Sequence, residues 1–194
     1  ADAILRALRE HKIDMIVAGA LEKPLVLHPF LGNVARRLVR EASCSVMLFT
    51  HPETQPKPLR NIVFMADHSP NALDAFKQTL HLAAPEASER LYVVRLITAF
   101  DEARAKAKGE REDSEAAGDD EAALEKFVLA AGPTDVPVET RCIRGNTGFA
   151  VADFVHSIGA DLLVVPGPPS IDGELPNNIA WLTDVIPCNL WLIR

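Results

Sequence analysis

The chain uses one phrase twice. An amphipathic helix leads into IDMIVAG or ADLLVVPG; a proline-containing loop follows, then a helix that opens on asparagine, then SCSVMLF or PCNLWLI. A supersecondary unit repeated in this way specifies the architecture more tightly than any single element does. Apolar strands alternating with amphipathic helices require a parallel sheet covered on both faces by right-handed crossovers. The expected fold is therefore α/β: a doubly wound, Rossmann-like parallel five-stranded sheet, in a tandem whose first copy is truncated at its N-terminal side.

The elements follow from hydrophobic period and punctuation. In the first copy, Ala1 to Lys12 reads as a helix, Ile13 to Ala18 as a strand, Leu31 to Ala42 as a helix with Asn33 as N-cap, and Ser43 to Phe49 as a strand. Thr50 to Pro58 holds three prolines among polar residues, the composition of an extended linker, and sets a boundary between residues 1–58 and 59–194. In the second copy, Arg60 to Ala66 is a buried strand that ends at Asp67, and Ser69 and Pro70 supply the cap and first turn of a helix reaching about Ala84. Leu91 to Ile97, Val136 to Ile143, Asp161 to Val165 and Cys188 to Ile193 read as strands, with helices at Glu121 to Ala131, Thr147 to Ile158 and Asn178 to Val185. Residues 101–120 are charged and carry almost no large apolar side chain; they read as a mobile or partly helical insertion in which Asp119 and Asp120 are a solvated pair.

A net charge of −7 makes nucleic acid a poor partner, because the average surface repels phosphate. No apolar run reaches the ~20 residues needed to cross a bilayer. Cys44, Cys142 and Cys188 lie at or in apolar strands without CxxC spacing and read as buried free thiols, and the six histidines show no metal-ligand spacing. No nucleophile elbow, HExxH or paired carboxylates in an apolar setting are present, so the expectation is a protein without catalytic residues.

Ile62 to Asp67 followed by HSPNA is similar to the first strand and Asp-x-Ser turn of the universal stress protein family, and GADLLVVPG is similar to its fourth strand. IDMIVAG and LGNVARRLVREASCSVMLF resemble that family's fourth strand, fourth helix and fifth strand. The stretch GALEKPLVLHPFLGNVARRLVREASCSVMLF looks most like tandems carried as cytosolic tails of cation:proton antiporters. The resemblance implies a cytoplasmic regulatory or sensory module, at the cytosolic face of a membrane where a transporter domain lies in cis. It also implies self-association through the fifth strands, Cys44–Phe49 and Cys188–Ile193, paired antiparallel across a pseudo-two-fold axis. The alternative it leaves open is a stand-alone ATP- or AMP-binding universal stress protein.

Members of that family that bind ATP carry Gly, two residues, Gly, nine residues, Gly, then Ser or Thr after the fourth strand. Glycine lets backbone N–H groups close on phosphate, and the following helix N-terminus favours negative charge there. Here Gly19 matches, but Glu22 replaces the second glycine and Gly32-Asn33 the closing pair. In the second copy Gly167 is followed by Ser170, and Asn177-Asn178 stand at the close. Asp172 and Glu174 add negative charge, with no Lys or Arg between Gly159 and Arg194 to offset it. Both loops are degenerate. Asp67 is either an adenosine-recognising carboxylate, as the resemblance implies, or a polar cap beside the Ser69 turn. Asn146 and Thr147 either cap a helix or contact phosphate. Any cofactor would be ATP, AMP or an adenosine-like ligand in the crevice at the topological switch point.

Overall fold

The computed structural model describes residues 1–20, 31–50, 57–67, 69–107, 116–145, 147–168, 175–183 and 186–194. The linker residues 51–56, along with His68, Asn146, Ser170, Asp172 and Glu174, lie outside them. The elements are α1 (Asp2–Glu10), β1 (Met15–Gly19), α2 (Asn33–Glu41), β2 (Ser45–Phe49), β3 (Asn61–Met65), α3 (Ala72–Ala83), β4 (Arg90–Ile97), α4 (Ala99–Ala107), α5 (Ala116–Ala130), β5 (Val138–Arg144), α6 (Phe149–Ser157), β6 (Leu162–Pro166), α7 (Asn177–Ala180) and β7 (Asn189–Ile193).

All seven strands join one sheet in the order β1-β2-β7-β6-β3-β4-β5, parallel at every junction except β2–β7. The five strands from β7 to β5 are the doubly wound unit that the alternation of strands and helices requires. The strand pairing expected between SCSVMLF and PCNLWLI is made within the chain: Val46, Met47 and Leu48 oppose Leu192, Trp191 and Leu190. Each of the two strands therefore has neighbours on both sides, and Trp191 is 8% exposed.

Counted outward from the Met47–Trp191 pair, the two halves occupy equivalent positions. Met47 neighbours Val17 in β1, and Trp191 neighbours Val164 in β6. The backbone bond from Ala20 N to Phe49 O (2.8 Å) has its counterpart from Gly167 N to Ile193 O (2.7 Å). The helices that precede β1 and β6 end alike, at Lys12 with φ 49° and Gly159 with φ 59°, each followed by an N–H that reaches back five residues, Ile13 to Leu8 and Ala160 to Val155.

Two apolar layers cover the sheet. On one face, α3 and α5 bury Phe64, Phe76, Leu162, Val164 and Ile193; on the other, α2, α6 and the turn Trp181–Thr183 bury Val63, Val94, Leu163, Val165 and Leu190. The β6 residues are all buried, as a central parallel strand demands.

Several local expectations are corrected. Gly32, extended at φ −62° and ψ 153°, holds the N-cap position of α2, and Asn33 is the first helical residue with no side-chain cap bond. Ser69 does not cap α3; it closes a turn with Asp67, which defers the helix to Ala72 with Asn71 as N-cap. Thr147 stands before Gly148, the N-cap of α6. The last helix, expected over Asn178 to Val185, is α-helical at Asn177–Ala180 and turns to 3-10 geometry at Trp181–Thr183, with Val185 outside the described residues. Asp120 is 8% exposed rather than solvated, because α5 starts at Ala116 and turns that position towards the sheet.

Candidate functional site

The chain leaves β3 towards β4 and returns to β6 on the other side of β3, so the carboxyl ends of β3 and β6 form the topological switch point. Ligands of doubly wound folds bind at such a crevice because the backbones diverge there. Asp67 and Gly167, placed one residue beyond the buried ends of these strands, are the two sequence candidates that the fold brings together. Asp67 Oδ1 accepts from Ser69 N at 3.0 Å and from Ser69 Oγ, a turn that fixes the carboxylate at the crevice.

Asn71, which sequence reasoning missed, crosses the crevice. Its Nδ2 donates to Gly167 O at 2.9 Å, tying the β3 side to the β6 side, while its buried Oδ1 has no hydrogen-bond partner. The Gly167 Cα is crowded as well: a Cβ there would lie 3.1 Å from Leu192 Cδ1 and 3.3 Å from Arg194 Cγ. On the α6 side, Trp181 lies flat against Gly148, where a Cβ would fall 2.0 Å from the indole Nε1. The indole therefore occupies the space beside Gly148, the N-cap of α6. The only sequence sign of this contact was a glycine directly after Asn146-Thr147 and a tryptophan in the closing turn.

Among the described residues the polar atoms at these positions include two acceptors, the Asp67 carboxylate held by the Ser69 turn and the buried Asn71 Oδ1. Asn177 and Asn178 open α7 behind Pro176, in a helix of four residues. Gly19 ends β1, and Gly32 is the N-cap of α2, which begins at Asn33; residues 21–30 lie outside the described residues.

Arg194 does not stand free in solvent at the end of β7. Its Nη2 donates to Val39 O (2.9 Å), one of the last carbonyls of α2, and its Nε and Nη1 are buried without partners. Burial holds its pKa below the usual guanidinium range. The bond ties α2 to β7 and places positive charge at the negative end of the helix dipole.

A second depression, of about 770 Å³, lies where β2 ends and β7 begins, lined by Val17, Gly19, Phe49, Lys57, Leu59 and Asn189 among others. Cys188 also lines it; its Sγ donates to Asn189 O at 3.3 Å, and burial pushes the thiol up to about 12. The folded value exceeds the ordinary one, so the stability this thiol contributes is complete below about pH 9 and is lost as pH rises towards 12. The unfolding free energy should fall by up to ~1.4 kcal/mol per pH unit in that window. Urea titrations between pH 8 and 11 should show this slope, and Cys188→Ala should reduce it, leaving the smaller share of Cys44 and Cys142, whose thiols burial also pushes up.

The universal stress protein family profile matches residues 1–50 and 58–168. The chain belongs to the universal stress protein family. Solved structures agree at the level of the fold. A universal stress protein from Archaeoglobus fulgidus DSM 4304 aligns with a TM-score of 0.68 at 14% identity, over 100% of this chain and 66% of its own. The universal stress protein UspA from Lactobacillus plantarum aligns with a TM-score of 0.54 at 19% identity, over 72% of this chain and 100% of its own. The chain thus spans just under two thirds of the length of the first of these relatives. No curated protein shows significant similarity to it.

Proposed function

We propose that this universal stress protein is a non-catalytic regulatory module built from two copies of the family unit, residues 1–58 carrying the closing half of one and residues 59–194 the whole of the other. The two separate stretches matched by the family profile and the repeated register about Met47 and Trp191 support the two-copy reading. The observation that carries the functional reading is the closed phosphate side of the switch point, with Asn71 bonded across to Gly167 and Trp181 seated on Gly148. A triphosphate would have to displace both. Isothermal titration with ATP and AMP at millimolar ligand should give a flat trace. Saturable heat at micromolar ATP would overturn the proposal.

The second reading, a nucleotide-responsive universal stress protein, has one observation in its favour. Asp67 and the unpartnered Asn71 Oδ1 are acceptors at the place where an adenosine amine or ribose hydroxyl would bind in this architecture. Heat with adenosine, absent with ATP, would select it in a form restricted to uncharged ligands.

The partner proposed for the module is a membrane transporter domain of the cation:proton antiporter kind, in cis, so that a change in the module biases transport. The support is the likeness of residues 19–49 to such tails. None of the described helices is long and apolar enough to cross a membrane. A run of membrane spans in the coding sequence ahead of Ala1 is the expected finding, and a short reading frame without spans would remove the transporter.

A further inference from the structure

The depression where β2 ends and β7 begins is separate from the crevice of Asp67 and Gly167. Ala160, Asp161, Cys188 and Asn189 line it, so it opens at the amino ends of β6 and β7, whereas the crevice lies at the carboxyl ends of β3 and β6. Its volume of about 770 Å³ falls within the range of small-molecule sites, which are mostly apolar with a few polar groups that fix orientation.

The two ends of the β2–β7 seam are built alike and finished differently. Thr50 N donates to Asn189 Oδ1 at 3.0 Å, and at the other end Arg194 N donates to Ser45 Oγ at 3.1 Å. Counted from the Met47–Trp191 pair, Thr50 is the counterpart of Arg194, Asn189 of Ser45 and Cys188 of Cys44. Arg194 sends its long side chain across to Val39 O, and Cys44 at that end is 4% exposed. Thr50 carries a short side chain, its hydroxyl bonded to Asn189 Oδ1 at 3.4 Å, and Cys188 at this end lines an open space.

The lining has an apolar body and a charged mouth. Val17, 55% exposed, forms the apolar wall together with Phe49, Leu59 and Pro187. Among the described residues, Asp161 and Lys57 bring charge to it. Asp161 is committed to the fold, since its Oδ2 accepts from both Arg60 N and Asn61 N at 2.9 Å. Lys57 is exposed, and its ammonium carries three donors and no acceptor. A hollow of this kind is complementary to an acid with a hydrocarbon body. Burial of the body takes apolar surface out of water, and the head group gains a charge-assisted bond.

We infer that this depression binds an amphipathic carboxylic acid, with its hydrocarbon chain against Val17, Phe49 and Leu59 and its carboxylate on Lys57. The site goes beyond the regulatory reading and depends neither on the two-copy arrangement nor on what the crevice of Asp67 binds.

The test is isothermal titration of the 194-residue chain with three probes of one chain length: decanoate, decanol and decylammonium. Decanoate should give saturable binding at one site, and the other two should bind at least about tenfold more weakly. Lys57→Glu should weaken decanoate by about tenfold or more and strengthen decylammonium. Val17→Asp, also at an exposed position, should weaken decanoate as well, with the circular dichroism spectrum of both variants unchanged. Amide chemical shifts read the location: Val17, Gly19 and Asn189 should move with decanoate while Asp67 and Asn71 stay in place. No saturable binding of decanoate, equal binding of the three probes, or a decanoate affinity indifferent to Lys57→Glu would overturn the inference. Shifts centred on Asp67 and Asn71 would put the acid in the crevice and overturn it too.

Discussion

Phe64→Ala is expected to lower the unfolding free energy by about 3–5 kcal/mol, the range for deleting a buried aromatic ring. Phe64 is fully buried in β3, flanked by parallel partners on both sides. Its ring centroid lies 5.1 Å from that of Phe76 on α3 and 6.1 Å from that of Phe127 on α5, and those two lie 5.4 Å apart. The three rings pack at offset and tilted angles that add to the area term. Removing the ring contributed by the sheet leaves a cavity beneath α3 and α5, whose own rings stay packed against each other. For a chain of this size the Tm should fall by roughly 10 °C, measured by thermal melting with circular dichroism. A loss under about 1 kcal/mol would mean that α3 and α5 collapse inward, and that the aromatic layer is not what fixes their distance from the sheet.

Gly148→Ala is expected to have the next largest effect, about 3 kcal/mol, at the upper end of the cost of overpacking. The new methyl would fall 2.0 Å from Trp181 Nε1 and 2.1 Å from Cδ1, so the indole must leave its seat or α6 must shift. Neither movement is cheap: Trp181 is 8% exposed and packed in the same apolar cluster as Val151 and Leu163. A double-mutant cycle with Trp181→Ala separates the causes. Trp181→Ala leaves room for the methyl, so Gly148→Ala should be nearly silent in that background, and the coupling should approach the whole single-mutant cost. The same pair also reports on function. If Trp181 is what closes the phosphate side of the crevice, Trp181→Ala should be the variant in which adenine nucleotide binding is easiest to detect by titration. An additive cycle would show that the indole and Gly148 do not meet in solution.

Period and composition made most of the fold legible. Strands such as NIVFM and LLVVP are apolar without alternation, which only a sheet covered on both faces can satisfy, and the strand-helix order then leaves a doubly wound arrangement. The likeness to the universal stress protein family implied that SCSVMLF and PCNLWLI would pair antiparallel, and they do so within this chain. The caps were read less well. Asn33, Ser69 and Thr147 have the right side chains for N-caps, but Gly32, Asn71 and Gly148 hold those positions. A cap is set by where the helix axis must lie against the sheet, and a hydroxyl or amide one or two residues away is diverted to another bond, as Ser69 is to Asp67.

The candidate site divides the same way. Asp67 and Gly167 could be found because they end strands, and strand ends carry a local signature in sequence. Asn71 and Trp181 could not, because each acquires its role from a contact across the fold: Asn71 with a carbonyl 96 residues away, and Trp181 with the backbone of a glycine on another helix. The sequence by itself determined the alternation of elements, the repeat and the loss of the glycines that would cradle a phosphate, since each is a property of neighbours along the chain. Only the tertiary structure decided that the crevice is bridged, that the two fifth strands pair within one chain and that a depression opens beside Lys57 where β2 ends and β7 begins. Those outcomes depend on which surfaces meet after long-range closure, and no local pattern encodes that.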